Sequence, residues 1–380
     1  MVKIIILTAP FGEGHRSASD AIGEYLKENY KDYIEVRVVD YFEAFTPKLS
    51  CFAARLYQRL IQHWPKGWET FFNITNSFSN AKVLQTFYLI GMAKAKRFLS
   101  SFQPDIVISL YPLCGQAASE FKKELDYFSV TVITDFGVHS SWIHPSTDLY
   151  FAAADKVKDG LVAHGVSTER IEVSGIPVNH SFQIRLNRDK MRARYGIADS
   201  FTILLTSGGL GMDWMADLCR ELASMPAQLI VVCGRNKRLF HRIKKLTKIF
   251  HNIKPFDFVI PQVMAEIMTI SDLMIGKAGG LTVSEALLKG LPMLLYKPTP
   301  GQETYNVNFL IKNNVALLAK DKKDIAEKAA LLMKQPSILN QLRVNISQLD
   351  RPLASEKICK KLFQRWLESK SAINLMMKLH

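Results

Sequence analysis

Five residues in the second half of this 380-residue chain, Gly279, Gly280, Thr282, Ser284 and Glu285, have the types and spacing that hold a phosphate and the sugar beside it. An apolar run over 273–275 reads as the end of a buried strand. The glycine pair then lets the backbone turn tightly before Thr282 or Ser284 opens a helix. The first-turn N–H groups of a helix, with the positive end of its dipole, bind a phosphate without a charged side chain. Glu285, one turn inside, is placed to accept hydrogen bonds from ribose hydroxyls. A Gly-Gly pair before a helix is common in α/β proteins, so the pair alone is a weak signal. Its continuation strengthens it: a second apolar run, 292–296, leads into a Pro- and Gly-punctuated loop carrying Gln302, Glu303 and Asn306. Ligands of open α/β sheets bind at such strand ends, and three hydrogen-bonding side chains there suit a hydroxyl-rich ligand.

The first half offers acid–base candidates. His15 lies in FGEGHRS, between a β-branched strand over 3–8 and a helix over 18–26. That turn is not a G-x-G-x-x-G, so a dinucleotide fingerprint is missing. A loop histidine alone is more often a surface residue than a catalyst. Asp135 follows a strand over 130–134, where a helix cap is the equal alternative to a chemical role. An unperturbed histidine titrates near pH 6.5 and an aspartate near 3.9, so ordinary chemistry favours His15 as the proton acceptor, and Asp135 would need burial to become comparably basic. No D-x-D occurs anywhere in the chain. A leaving diphosphate would then be stabilised by the helix end and by bases such as Arg235, without a metal.

The run GGLTVSEAL, then GLP, then PGQETYN resembles the donor-binding signature of the diacylglycerol glycosyltransferases, the family of bacterial processive glucosyltransferases and plant monogalactosyldiacylglycerol synthases. It is related to the N-acetylglucosaminyltransferase of peptidoglycan synthesis. The first forty residues and TDFGVHSSW match as well, so the resemblance covers nearly the whole chain. Ala278 stands where proline is usual and Ser207 begins a turn that is often all glycine; neither departure removes a contacting side chain. The resemblance implies an α/β GT-B fold, two Rossmann-like domains with parallel sheets facing a cleft. It implies inverting transfer of glucose or galactose from a UDP-sugar to diacylglycerol, with the UDP-sugar a substrate and no cofactor. It places His15, with Gly12 and Gly14 of its loop, near the reacting hydroxyl and sets Asp135, His139 and Trp142 across the cleft, which permits a relay in which Asp135 orients the histidine or takes the proton directly. In the second half it adds the turns at Gly208 and Gly209 and at Gly234, Arg235 and Asn236 to the donor side. A strand over 256–260 would pair with the uracil edge through the backbone at Phe258 and Val259.

The elements that must position these residues restart once. A strand, glycine turn and helix beginning at 201–206 repeat the opening pattern, which argues for a second Rossmann-like domain after a GIPV hinge at 175–178. The expected division is 1–180 for the acceptor and membrane side, 181–354 for the UDP-sugar, and 355–380 as a helix packing back on the first domain. Composition excludes several classes. Five scattered cysteines without a C-x-x-C pair fit neither a disulfide frame nor a zinc site, and suit a reduced cytoplasmic protein. No apolar run reaches the roughly 18 residues of a spanning helix. The net charge of +14 is concentrated in residues 181–380, where 31 Lys and Arg face 16 acids. Such an excess attracts nucleic acid or acidic lipid. No nucleic-acid module is recognisable, so a nucleic-acid partner is not expected.

Residues 48–97 hold eight bases against one acid, interleaved with aromatics, which is the composition of a helix lying in an anionic membrane interface. Two ordinary helices with a solvated basic face would read the same way; the resemblance favours the membrane, with Arg55, Arg59, Trp64 and Trp68 in contact. The basic run 235–254 reads as a solvated helix face. The expectation is a peripheral enzyme on the inner face of the cell membrane. The alternatives are transfer from UDP-N-acetylglucosamine to another lipid, a catalytically silent UDP-sugar sensor, and a basic nucleic-acid binder.

Overall fold

The structure is a computed structural model that describes residues 1–47, 60, 64–77, 91–349 and 353–379. Arg55 and Arg59 lie outside the described residues. Twelve strands form two six-stranded parallel sheets. The first contains β1 (Val2–Thr8), β2 (Ile34–Asp40), β3 (Ile106–Ser109), β4 (Phe128–Val132), β5 (Leu149–Ala152) and β6 (Ile171–Val173), in the order β2-β1-β3-β4-β5-β6. The second contains β7 (Thr202–Thr206), β8 (Gln228–Val232), β9 (Ile253–Phe256), β10 (Leu273–Gly276), β11 (Met293–Leu295) and β12 (Ala316–Leu318), in the order β12-β11-β10-β7-β8-β9. Ile4, Ile5 and Ile6 in β1 and Ile203, Leu204 and Leu205 in β7 are fully buried, because helices cover both faces of each sheet.

Both sheets reverse direction beside their first strand, between β1 and β3 and between β7 and β10, and a crevice opens at the carboxyl ends of such neighbours. The loops that carry the candidate site leave those four strands and β4, β8, β9 and β11. The two crevices face each other. The last helix, Ala354–Leu379, sends Ile358, Cys359 and Leu362 into the core of the first sheet beside Ile4 and Ile22, and Arg365 reaches Glu172 at 3.3 Å.

Three local expectations shift. The first helix is Glu13–Tyr30, not a start near residue 18, so His15 sits in a helical first turn. The donor helix is Gly280–Leu288 with Gly279 at its cap position, so neither Thr282 nor Ser284 opens it. The strand expected over 256–260 is β9, which ends at Phe256. Pro255 is accommodated because β9 is an edge strand, where a missing N–H costs no ladder bond, and Pro261 starts the next helix. Phe258 and Val259 therefore fall in the loop between the two.

Candidate functional site

The larger of two adjoining cavities, about 200 Å³, lies between the domains and is lined by loops from both crevices. The second domain contributes Gly208 and Gly209 after β7, Gly234 after β8, Phe258 and Val259 after β9, and Gly279, Gly280, Thr282 and Glu285 after β10. Gln302 and Glu303 close that side, and Gly12, Gly14, His15 and Asp135 line it from the first domain. Gly208 and Gly234 have φ of 74° and 59°, the left-handed region that glycine enters freely. Gly280 meets a second requirement: a Cβ there would fall 2.2 Å from the Thr134 carbonyl oxygen, so only glycine lets the donor helix start this close to the loop after β4.

Several expected contacts are turned elsewhere. Ser284 Oγ donates to the Gly280 carbonyl at 2.9 Å and does not reach the cavity. Asn236 caps the helix Lys237–Leu246 by accepting from Leu239 N at 2.9 Å and donates to the Gly211 carbonyl at 2.8 Å. Arg235 lies at the mouth, where its Nε donates to Glu13 Oε1 at 2.6 Å and its guanidinium sits 4.2 Å from the centre of the Phe258 ring. Asn306 is fully buried behind the cavity. Its Oδ1 accepts from Phe136 N at 2.7 Å, and its Nδ2 donates to Asp135 Oδ1 at 3.1 Å and to the Ala278 carbonyl at 2.8 Å. Gln302 Nε2 donates to the other carboxylate oxygen, Asp135 Oδ2, at 3.1 Å.

Lys277 is a cavity-lining side chain that the residue types alone did not single out. It stands immediately before the Ala278-Gly279-Gly280 turn and pairs with Glu303 at 3.0 Å, both nearly buried. The second oxygen of Glu303 accepts from Thr299 N at 2.6 Å. Its signal was position: a lysine between a buried strand and a phosphate-type turn lies where an anion arrives. Glu13 was hidden in FGEGH in the same way.

The smaller cavity, about 130 Å³, opens beside the first. Its wall is largely aromatic, with Phe11, Trp68, Phe72, Tyr111, Trp142 and Tyr305, and it includes His139. Trp68 and Phe72 come from the helix Pro65–Ser77, so Trp68 faces this cavity, while Trp64 beside it is 64% exposed. His139 holds that helix by a 3.0 Å hydrogen bond between Nε2 and the Phe72 carbonyl. The two cavities share Phe11, His15, Asp135 and Gln302.

Burial inverts the ordinary order of the two acid–base candidates. His15 Nδ1 lies 2.9 Å from Thr134 Oγ1, and the Leu110 carbonyl favours the charged ring. The Thr134 hydroxyl can donate to Nδ1 or accept from it, according to the tautomer. Desolvation pushes this imidazole down to about 4, against the pull of the Leu110 carbonyl, so it is neutral at pH 7. Desolvation pushes the Asp135 carboxyl up to about 7, opposed by the hydrogen bonds from Asn306 and Gln302. Burial alone raises Glu285 to about 8. Among the described residues no group of three His, Cys, Asp or Glu side chains is placed to hold a metal ion.

Residues 15–178 match the monogalactosyldiacylglycerol (MGDG) synthase family, and residues 213–341 match the glycosyltransferase family 28 C-terminal domain. A processive diacylglycerol beta-glucosyltransferase of Bacillus cereus is 30% identical over 362 residues, covering 94% of this chain and 92% of the relative. This chain belongs to the diacylglycerol glycosyltransferase family. Its fold is GT-B, and solved structures of low identity share the architecture. Acinetobacter baumannii MurG has a TM-score of 0.62 at 15% identity, covering 96% of this chain and 100% of that one. The UDP-GlcNAc 2-epimerase of Neisseria meningitidis, solved with UDP-GlcNAc, has a TM-score of 0.63 at 16% identity, covering 96% and 100%. In this diacylglycerol glycosyltransferase, both family matches contribute walls to the larger cavity.

Proposed function

We propose that this chain transfers a hexose from a UDP-sugar to the free hydroxyl of diacylglycerol, with inversion at the anomeric carbon, while resting on an anionic membrane surface. The observation that carries the reading is the shared wall: a polar cavity between the domains and an aromatic cavity, walled mostly by the first domain and completed by Gln302 and Tyr305 of the second, meet at Asp135. The donor lies in the larger cavity. Its uracil sits at Phe258 and Val259, its ribose hydroxyls at Glu285, its diphosphate at the start of the helix Gly280–Leu288, and its hexose at Gln302 and Glu303. The smaller cavity takes the glycerol end of the lipid, whose acyl chains leave past Trp68 and Phe72. The relatives' name puts UDP-glucose first among donors to try.

Transfer is a single in-line displacement. The acceptor oxygen bonds to the anomeric carbon as that carbon's bond to the β-phosphate oxygen breaks, and UDP leaves with the electron pair. Asp135, raised near neutrality, takes the hydroxyl proton; a base matched to the working pH is the efficient choice. His15 is spent on Thr134 and Leu110, so its part is to hold the segment carrying Asp135. Lys277 and the helix N-terminus meet the charge that grows on the diphosphate. The test supplies purified protein with labelled UDP-glucose, UDP-galactose and UDP-N-acetylglucosamine in turn, with anionic vesicles that contain or lack diacylglycerol, with and without EDTA. Label in a diacylglycerol glycoside from a UDP-hexose, retained in EDTA, is expected. Label appearing only as free sugar, or a requirement for an added divalent ion, contradicts the reading.

A further inference from the structure

One stripe of the helix Gln302–Lys312 in the second domain grips three consecutive residues of the first. The stripe is Gln302, Tyr305, Asn306 and Phe309, the i, i+3, i+4 and i+7 positions that share a helix face. Gln302 and Asn306 each donate to one oxygen of Asp135 at 3.1 Å. Phe309 stacks on Phe136 at 4.2 Å between centroids with an 11° interplanar angle. Tyr305 covers Gly137 so closely that a Cβ there would fall 2.2 Å from a ring atom. Asn306 has no capacity left for a ligand: both amide hydrogens and its oxygen are engaged, and it is fully buried.

We infer that Asn306 is a positioning residue for the transfer: reaching from the donor domain, it aims the Asp135 carboxylate at the acceptor hydroxyl and does so only while the two domains are docked. This rests on Asp135 being the base. The same amide that holds Asp135 also holds the Ala278 carbonyl, immediately before the Gly279–Gly280 turn that receives the diphosphate. Donor loop and base are therefore tied through one side chain, and a parted cleft leaves the carboxyl with neither amide donor. The other titratable groups on the walls around Asp135 are His15, His139, Tyr111, Tyr305, Glu285, Glu13 with its partner Arg235, and Glu303 with its partner Lys277.

Asn306→Asp tests this because it is isosteric and keeps an acceptor for Phe136 N while replacing the donor with a second carboxylate. Expected is a kcat at pH 7 lower by about tenfold or more at saturating UDP-sugar. The acidic limb of the kcat profile should move up by roughly one to two pH units, so that activity recovers toward pH 9. If Asn306→Asp does not fold, Gln302→Leu carries the test, since it removes the donor to the other oxygen and must move the limb the same way. Wild-type transfer with an unmoved limb, or an equal loss at every pH, overturns the positioning role. Absence of wild-type transfer instead contradicts the proposed function itself.

Discussion

Asp135 and His15 touch the same wall of the site, yet burial drives them in opposite directions, because desolvation penalises whichever form is charged. For Asp135 this has a thermodynamic consequence. Its native carboxyl is raised above the unfolded value of 3.8, so between about pH 4 and 7 the native state binds more protons than the unfolded chain, and stability falls as pH rises through that window. His15 acts oppositely, adding stability as pH rises from about 4 to 6.5, and is neutral in both states above that. At pH 8.5, Asp135→Asn should therefore raise stability, by up to about 4 kcal/mol for a shift of about three pH units, with a smaller gain at pH 5. Denaturant unfolding at both pH values checks it; a gain independent of pH contradicts the assignment. Glu285→Ala should weaken UDP binding by roughly tenfold or more, the loss of a buried hydrogen bond to ribose. Calorimetry showing wild-type affinity removes Glu285 from the ribose.

At the scale of elements, the site is built by close approach of two strand-to-helix turns, and Gly280 is where the approach is tightest. In Gly280→Ala the new methyl meets the Thr134 carbonyl at 2.2 Å, so the donor helix must back away from the loop holding Asp135. The expected outcome is loss of transfer by roughly 10²-fold or more, from displacement of the diphosphate relative to the base. Full activity in this variant would show that the domains do not need this contact. The glycine turns, Glu285 and the PGQE loop were legible in the sequence because buried parallel strands read as apolar runs and ligands collect at their ends. What was not legible depends on packing between distant segments. The first turn of the helix Glu13–Tyr30 lacks an apolar period, and its place is set by Glu13 meeting Arg235 and by Gly14 lying against Leu281. Asn306 looked like a ligand contact because its chemistry suits a sugar, and only the docking of Phe309 on Phe136 turns it inward. The tryptophan pair divides for the same reason, Trp68 lining a cavity that Tyr305 completes from the other domain.

For the whole molecule, the proposed acceptor is a lipid, and among the described residues no helix is long and apolar enough to cross a membrane. Trp64 and Ile74, 64% and 52% exposed, stand on or beside the helix whose Trp68 and Phe72 line the cavity, so exposed apolar side chains and the cavity wall are carried by one element. Trp64→Ala with Ile74→Ser should cut transfer to diacylglycerol in anionic vesicles severalfold while leaving transfer to a short-chain diacylglycerol in detergent near wild type. Bases near the surface contribute roughly 1 kcal/mol each, a part that fades with salt. Equal losses in vesicles and detergent would move the membrane contact elsewhere, with the basic helix Lys237–Leu246 the next surface to alter.

The meeting of donor and acceptor cavities at one buried carboxylate is tested most directly by kcat against pH for wild type and Asp135→Asn, with UDP affinity measured on the same samples. Wild type should show an acidic limb near pH 7, and Asp135→Asn should lose roughly 10²–10⁴-fold in kcat across the range with UDP affinity unchanged, the cost of removing a general base. Near-wild-type turnover in Asp135→Asn, or a limb that survives the substitution, would contradict the account.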